Sequence, residues 1–178
     1  LEPSMCVAMN ADDLLPVAGA CNDGNLNNGD GCSDTGMTED GWTCDGLEPT
    51  VCVAVNTDGL LRADEVCDDG NPFEGDGCNN MSQVELGWTC DGLEPSACLE
   101  VHGDGLLRGL EICDDGNLMN GDGCSDTSSI EDGWTCDGLE PSVCVAVNTD
   151  GLLRADEVCD DGNPFEGDGC NNCLLYTS

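Results

Sequence analysis

Lysine is absent from this chain, and its basic side chains are three arginines, Arg62, Arg108 and Arg154, beside one histidine, His102. A chain so poor in cations has no surface with which to meet nucleic-acid phosphates, so nucleic-acid binding is excluded. An anionic membrane surface is excluded for the same reason. No apolar run approaches the roughly 20 residues of a membrane span, so no membrane insertion is expected of this stretch. No apolar stripe of helical period runs beyond one or two turns, which argues against long helices. Catalytic constellations are missing too: there is no Ser/His/Asp arrangement, no phosphate loop and no recurring acid/base pair in an apolar pocket. The chain is therefore not expected to be an enzyme on its own residues.

What is present in quantity is acid and cysteine. Of 178 residues, 38 are Asp or Glu and 16 are Cys, for a formal net charge of −35 at pH 7. Such cysteine density is typical of disulfide scaffolds in oxidising compartments, so an extracellular or cell-surface location is expected. From Cys6 onward the cysteines are spaced 15, 11, 12 and 8 residues apart, a cycle that recurs every 46 residues. The cycle divides the chain into repeats over 6–51, 52–97 and 98–143, with a partial repeat over 144–172. A longer period of 92 lies on top, because Val51–Asn80 recurs unchanged as Val143–Asn172. Residues 1–5 read as the end of an upstream unit, since Leu1-Glu2-Pro3-Ser4 matches the mid-unit Leu93-Glu94-Pro95-Ser96. Identity to the second unit stops after Asn172, so residues 173–178 are expected to be a non-native tail.

A unit of this size is near the limit at which disulfides, metals or neighbours become necessary for folding. Each full unit carries one Trp (Trp42, Trp88 or Trp134), a Leu pair and a few Val, the rest being dominated by Gly, Asp and Asn. Short strands such as Val51–Val55, separated by tight Asp-Gly and Gly-Asp turns, follow from this pattern. The expected fold is a small disulfide-rich repeat array of short β-strands and loops, with little helix, in linear tandem modules.

Two recurring segments could carry chemistry. Setting Gly59 at the sixth place of an EF-hand loop puts Asn56 third, Asp58 fifth and Glu65 twelfth. The match is partial, because Ala54 stands at the first place and flanking helices are missing. His102, Asp104 and Glu111 fill these places in the third unit, and Asn148, Asp150 and Glu157 in the fourth. The second segment, Cys67–Cys78, offers Asp68, Asp69 and Asn71, then Asp76 after a Gly-rich turn. Its equivalents are Asp114, Asp115, Asn117 and Asp122, and then Asp160, Asp161, Asn163 and Asp168. Calcium takes six to eight oxygen ligands in flexible geometry, which such loops could supply. Asp, Asn and Gly are equally the ordinary residues of tight turns. The charge favours calcium: the 52–97 unit has ten acids and one Arg, and a compact unit of that charge needs counterions.

The remaining signals are weaker. No paired C-x₂-C motif or Cys/His cluster lies within the repeats, which argues against zinc. The single C-x-x-C, Cys170 to Cys173, falls at the doubtful end. His102 stands where the second and fourth units have Asn and reads as a surface residue. Asn80-Met81-Ser82 is a glycosylation acceptor pattern. The Trp of each Gly-Trp-Thr-Cys is expected to pack on the adjacent disulfide, or else to form part of a ligand-contacting ladder. The arginines are expected to make local salt bridges.

Cys-Asp-Asp-Gly-Asn, Gly-Asp-Gly-Cys and Gly-Trp-Thr-Cys, in that order, resemble the Myxococcus disulfide repeat, also grouped as the DUF4215 family. The resemblance runs over essentially 1–172 and implies a secreted or surface, non-catalytic, repeated ectodomain. Two family cysteines are missing from each unit here, at the places of Asn56 and Ser82, and their joint loss implies that they are partners in the family. Four cysteines allow three pairings. The resemblance implies the local one: Cys21–Cys32, Cys44–Cys52, Cys67–Cys78, Cys90–Cys98, Cys113–Cys124, Cys136–Cys144 and Cys159–Cys170, leaving Cys6 without its partner. The expected role is a calcium-binding, disulfide-stapled structural or adhesive ectodomain or spacer, with an unidentified extracellular protein or glycan as partner. The alternatives are an accessory region of a larger secreted enzyme such as a protease, or an acidic ion- or mineral-binding matrix protein.

Overall fold

The structure is a computed structural model that describes residues 21–63, 65–154 and 157–165. The chain divides into two units, Leu1–Leu99 and Glu100–Ser178, each carrying about two sequence repeats. Among the described residues there is no helix. Six three-residue strands form three pairs: β1 (Trp42–Cys44) with β2 (Cys52–Ala54), β3 (Trp88–Cys90) with β4 (Cys98–Glu100), and β5 (Trp134–Cys136) with β6 (Cys144–Ala146). The strands are the aromatic, β-branched and cysteine-rich segments, the composition that suits a pleated, half-buried ribbon. The β1–β2 ladder is antiparallel and sets Trp42 opposite Ala54, Thr43 opposite Val53 and Cys44 opposite Cys52. The β5–β6 ladder repeats this register with Trp134, Thr135 and Cys136 opposite Ala146, Val145 and Cys144.

Each hairpin is closed by its own residues. Cys44 and Cys52, facing each other across the ladder, are joined with a Cα–Cα distance of 4.1 Å. Beyond them the Asp45 carboxylate accepts the Leu47 and Val51 N–H groups at 3.0 and 3.1 Å, the side-chain turn that Asp favours. Asp91 and Asp137 do the same in the next two hairpins. The peptide bonds Glu48–Pro49, Glu94–Pro95 and Glu140–Pro141 in these loops are cis.

The described disulfides are Cys21–Cys32, Cys44–Cys52, Cys67–Cys78, Cys90–Cys98, Cys113–Cys124 and Cys136–Cys144. Cys159 is disulfide-bonded as well, while Cys6, Cys170 and Cys173 lie outside the described residues. Among the described residues the buried apolar ones are cysteines alone: Cys21, Cys32, Cys67, Cys78, Cys113 and Cys124. No aliphatic core exists among the described residues, and large side chains such as Leu86, Phe73 and Leu110 are exposed. Around the sulfurs lie polar groups, including Asp68 and Asp114 at 1% exposure each.

The Gly-Asp-Gly-Cys motif has a packing reason. A Cβ on Gly77 would stand 2.3 Å from Cys98 Cβ and 3.0 Å from Trp88 Cε3, and Gly77 also has φ +113°. Gly31 and Gly123 are squeezed in the same way between Trp42 and Cys52 and between Trp134 and Cys144. Each Trp thus packs on a glycine of the preceding acidic loop beside the hairpin disulfide. Arg62 ties segments distant in sequence: Nε donates to the Asp40 carbonyl at 3.1 Å and an Nη1 donates to Glu94 at 2.6 Å. Arg108 reaches Glu140 at 2.8 Å in the same manner. Arg154 instead donates to Asp150 and to the Asp132 carbonyl.

Candidate functional site

The two acids that open the disulfide loops of the second and third repeats face opposite fates. Asp68 turns inward. Its Oδ2 accepts the Thr57 and Asp58 N–H groups at 2.9 and 3.1 Å, and its Oδ1 accepts those of Gly59 and Gly70 at 2.9 and 2.8 Å. Gly59 has φ +81°, a conformation that turns successive N–H groups toward one anion. Asp114 is held by Gly103, Asp104, Gly105 and Gly116 at 2.8 to 3.2 Å. Asp160 accepts the Gly162 and Asp150 N–H groups, and its carboxyl is held below the ordinary Asp range, by the Gly162 N–H first and the Gly151 N–H next. Four backbone donors occupy the lone-pair directions of the Asp68 and Asp114 carboxylates, so these residues act as internal anions that fix the chain.

The EF-hand-like set is likewise absorbed into turns. Asp58 accepts the Leu60 N–H at 3.0 Å, and Asp104 and Asp150 accept those of Leu106 and Leu152. Glu65 accepts the Arg62 N–H at 2.7 Å and the Ser82 hydroxyl at 2.9 Å. Glu111 is bound alike by Arg108 and Ser128, and Glu157 by the Arg154 N–H. Asn56 donates to the Asn80 carbonyl at 3.3 Å. Among the described residues, no three His, Cys, Asp or Glu side chains gather where a metal ion could be held.

The other acids of the loop stand apart from these clamps. Asp69 Oδ1 accepts the Asn71 N–H at 3.2 Å, and Asn71 Nδ2 donates to Asp76 Oδ2 at 3.0 Å. The remaining oxygen, Asp76 Oδ1, is buried without a hydrogen-bond donor, and so are Asp30 Oδ1 and Asp122 Oδ1 at the same place in the neighbouring repeats. Burial pushes the Asp69 carboxyl above the ordinary Asp range, and the nearby Asp76 charge adds to this. Asp115 is raised for the same reasons, burial first and then Asp122. Asp161 accepts the Asn163 N–H at 3.3 Å, and Asp168 lies outside the described residues.

A further carboxylate matters that the sequence reading did not single out. Glu85 accepts the Gly75 and Gly77 N–H groups at 2.8 to 2.9 Å and so closes the far side of the loop. Glu39 and Glu131 do this for Gly29 and Gly31 and for Gly121 and Gly123. The available signal was their recurrence every 46 residues, just ahead of the Gly-Trp pair.

His102 is exposed, as read from the sequence, and it also joins a cluster. Its Nδ1 lies 2.8 Å from both Glu111 Oε1 and Ser128 Oγ. A proton relay to a serine needs the acid on one ring nitrogen and the hydroxyl on the other. Here both meet Nδ1, so the trio is a structural cluster. His102 and Ser128 also occupy the two places where the family resemblance implies a lost cysteine pair, and they touch. Asn80 is exposed, but Ser82 of its acceptor pattern is 2% exposed and donates to Glu65.

Residues 85–128 and 131–174 each match the family model described as "Domain of unknown function (DUF4215)". No curated protein and no solved structure matches the chain.

Proposed function

We propose, taking the two matched segments as repeats of the DUF4215 family, that this chain is a stretch of a secreted or cell-surface ectodomain in which rigid repeats serve as a spacer or adhesive surface. Tandem repeats stapled by six described disulfides, with no aliphatic core among the described residues, suit an oxidising extracellular environment. Within that reading, calcium is held in the disulfide loops between Asp69 and Asp76 and between Asp115 and Asp122, with Asn71 and Asn117 as neutral neighbours. The Asp23, Asn25 and Asp30 loop belongs to the same group.

One observation carries the calcium part. The same carboxylate oxygen, on Asp30, Asp76 and Asp122, is buried without a donor in three successive repeats. A buried carboxylate oxygen without a partner is costly, and a hard cation relieves both that cost and the repulsion from the second acid. Calcium titration of the oxidised chain by calorimetry tests the reading. Saturable binding at about 10⁻⁴–10⁻³ M is expected, the range of extracellular modules. Asp76→Asn should remove one site, whereas Glu65→Gln should leave the number of sites unchanged. Absence of saturable heat at millimolar calcium refutes the calcium part and leaves the structural one.

A further inference from the structure

The first unit carries a groove of about 350 Å³ beside the β1–β2 hairpin. Trp42, Ala54, Ala63 and Met81 give it apolar walls, and Asn56 and Glu65 line it with polar groups. Trp42 packs against Gly31, whose Cβ would stand 2.8 Å from Trp42 Cε3, so the indole is fixed on one side while it lines the groove. Each Glu65 oxygen already accepts one hydrogen bond, from the Arg62 N–H and the Ser82 hydroxyl, which leaves acceptor capacity on both. Among the described residues no cationic side chain lines this groove.

The opening depends on two small residues. Alanine stands at both 54 and 63. At the matching places of the third repeat stand Glu100 and Gly109, and there the Glu100 carboxylate lies against Gly109 and accepts the Leu110 N–H at 2.9 Å. That side chain fills the space which Ala54 and Ala63 leave open. The small residue recurs at Ala146, beside Trp134 and ahead of Asn148 and Glu157, at the 92-residue period.

We infer that the groove is a docking site for a basic side chain, lysine or arginine, presented by a cationic extracellular peptide or protein. The methylene stem lies along Met81 and Ala54, and the charged head meets the Trp42 ring and the Glu65 carboxylate. An aromatic face beside a carboxylate suits an organic cation, because ring quadrupole and charge attract it together. The chain's charge of −35 draws such a partner toward it and opposes an anionic one. The inference does not depend on calcium in the disulfide loops.

The test uses the oxidised chain at about 0.15 M salt, where the Debye length is about 8 Å and diffuse attraction is screened. Acetylated tetralysine amide is titrated while the Trp42 indole N–H resonance is followed. A saturable shift of Trp42 is expected. Ala54→Leu fills the groove without changing charge and should weaken binding about fivefold or more. Met81→Lys should weaken it at least as much, whereas Leu47→Lys, the same charge change on an exposed loop, should alter it less than about twofold. The inference is overturned if Met81→Lys and Leu47→Lys weaken binding equally, if Ala54→Leu binds as the parent does, or if a neutral methyl glycoside shifts Trp42 while tetralysine does not. Retention of the parent's strand and disulfide signals in each variant separates lost binding from lost folding.

Discussion

Replacing Asp68 by Asn changes one acceptor atom into a donor and leaves the size of the side chain unchanged. The amide oxygen can still serve Gly59 and Gly70, but the amide nitrogen would face the Thr57 and Asp58 N–H groups, now accepted at 2.9 and 3.1 Å. Two donors lose their acceptor, each at about 1–3 kcal/mol. Thr57 is half-buried and Asp58 exposed, so water recovers part of the loss and about 2–4 kcal/mol remains. For the unit Leu1–Leu99 that is a fall in Tm of roughly 10–20 °C. Denaturation followed by Trp fluorescence, with amide exchange at Thr57 and Asp58, measures the effect. A loss below about 0.5 kcal/mol, with exchange at both amides unchanged, would refute the internal-anion role.

Asp69→Asn should act in the opposite sense. Its folded carboxyl is raised above the ordinary 3.8, so the charged form opposes folding at neutral pH, and stability recovers as pH falls through the raised value. The Asn variant should therefore be more stable than the parent at pH 7 without calcium, and this advantage should vanish once the pH is well below 3.8, in parallel chemical melts. Asp45, Asp91 and Asp137 are held below 3.8 by the N–H groups of Leu47, Leu93 and Leu139 first and of Val51, Ala97 and Val143 next. Their contribution is present above 3.8 and is lost as pH falls through the lowered values, so hairpin amide protection should drop only at strongly acidic pH. Gly77→Ala should cost about 3 kcal/mol or more, because the added Cβ meets Cys98 Cβ at 2.3 Å. Gly75→Ala, with nothing within 4 Å, should cost only the backbone strain of about 1–2 kcal/mol. Reduction of the disulfides should abolish strand signals outright, since cysteines are the whole buried apolar set among the described residues.

The repeat period, the stapled-module fold and the strand within Val51–Val55 were legible in the sequence because cysteine spacing and β-branched composition act locally, whereas its partner strand at Gly-Trp-Thr-Cys was not read. The roles of individual acids were not. Asp68 and Asp69 are adjacent and chemically alike, yet one enters a nest of N–H groups and the other faces Asp76. That choice is set by Gly59 and Gly70, whose backbones bring together donors about ten residues apart. The EF-hand spacing at Asn56, Asp58 and Glu65 was real as a pattern, but a turn uses the same residues at the same intervals. Arg62 was expected to make a local bridge, and its partner Glu94 lies 32 residues away, a distance spanned only once the hairpin folds back. Glu85 went unnoticed because nothing near it in sequence shows that it closes a loop eight to ten residues earlier.

The division of labour among the acids is tested most directly by thermal melts of the parent and of the Asp30→Asn/Asp76→Asn/Asp122→Asn variant, each with and without about 5 mM calcium. With dissociation constants near 0.5 mM, calcium should stabilise the parent by about 1–1.5 kcal/mol per loop. The variant should lose the calcium gain of these three loops and should match or exceed the parent without calcium. An equal calcium gain in both proteins, or none in the parent, would contradict the account.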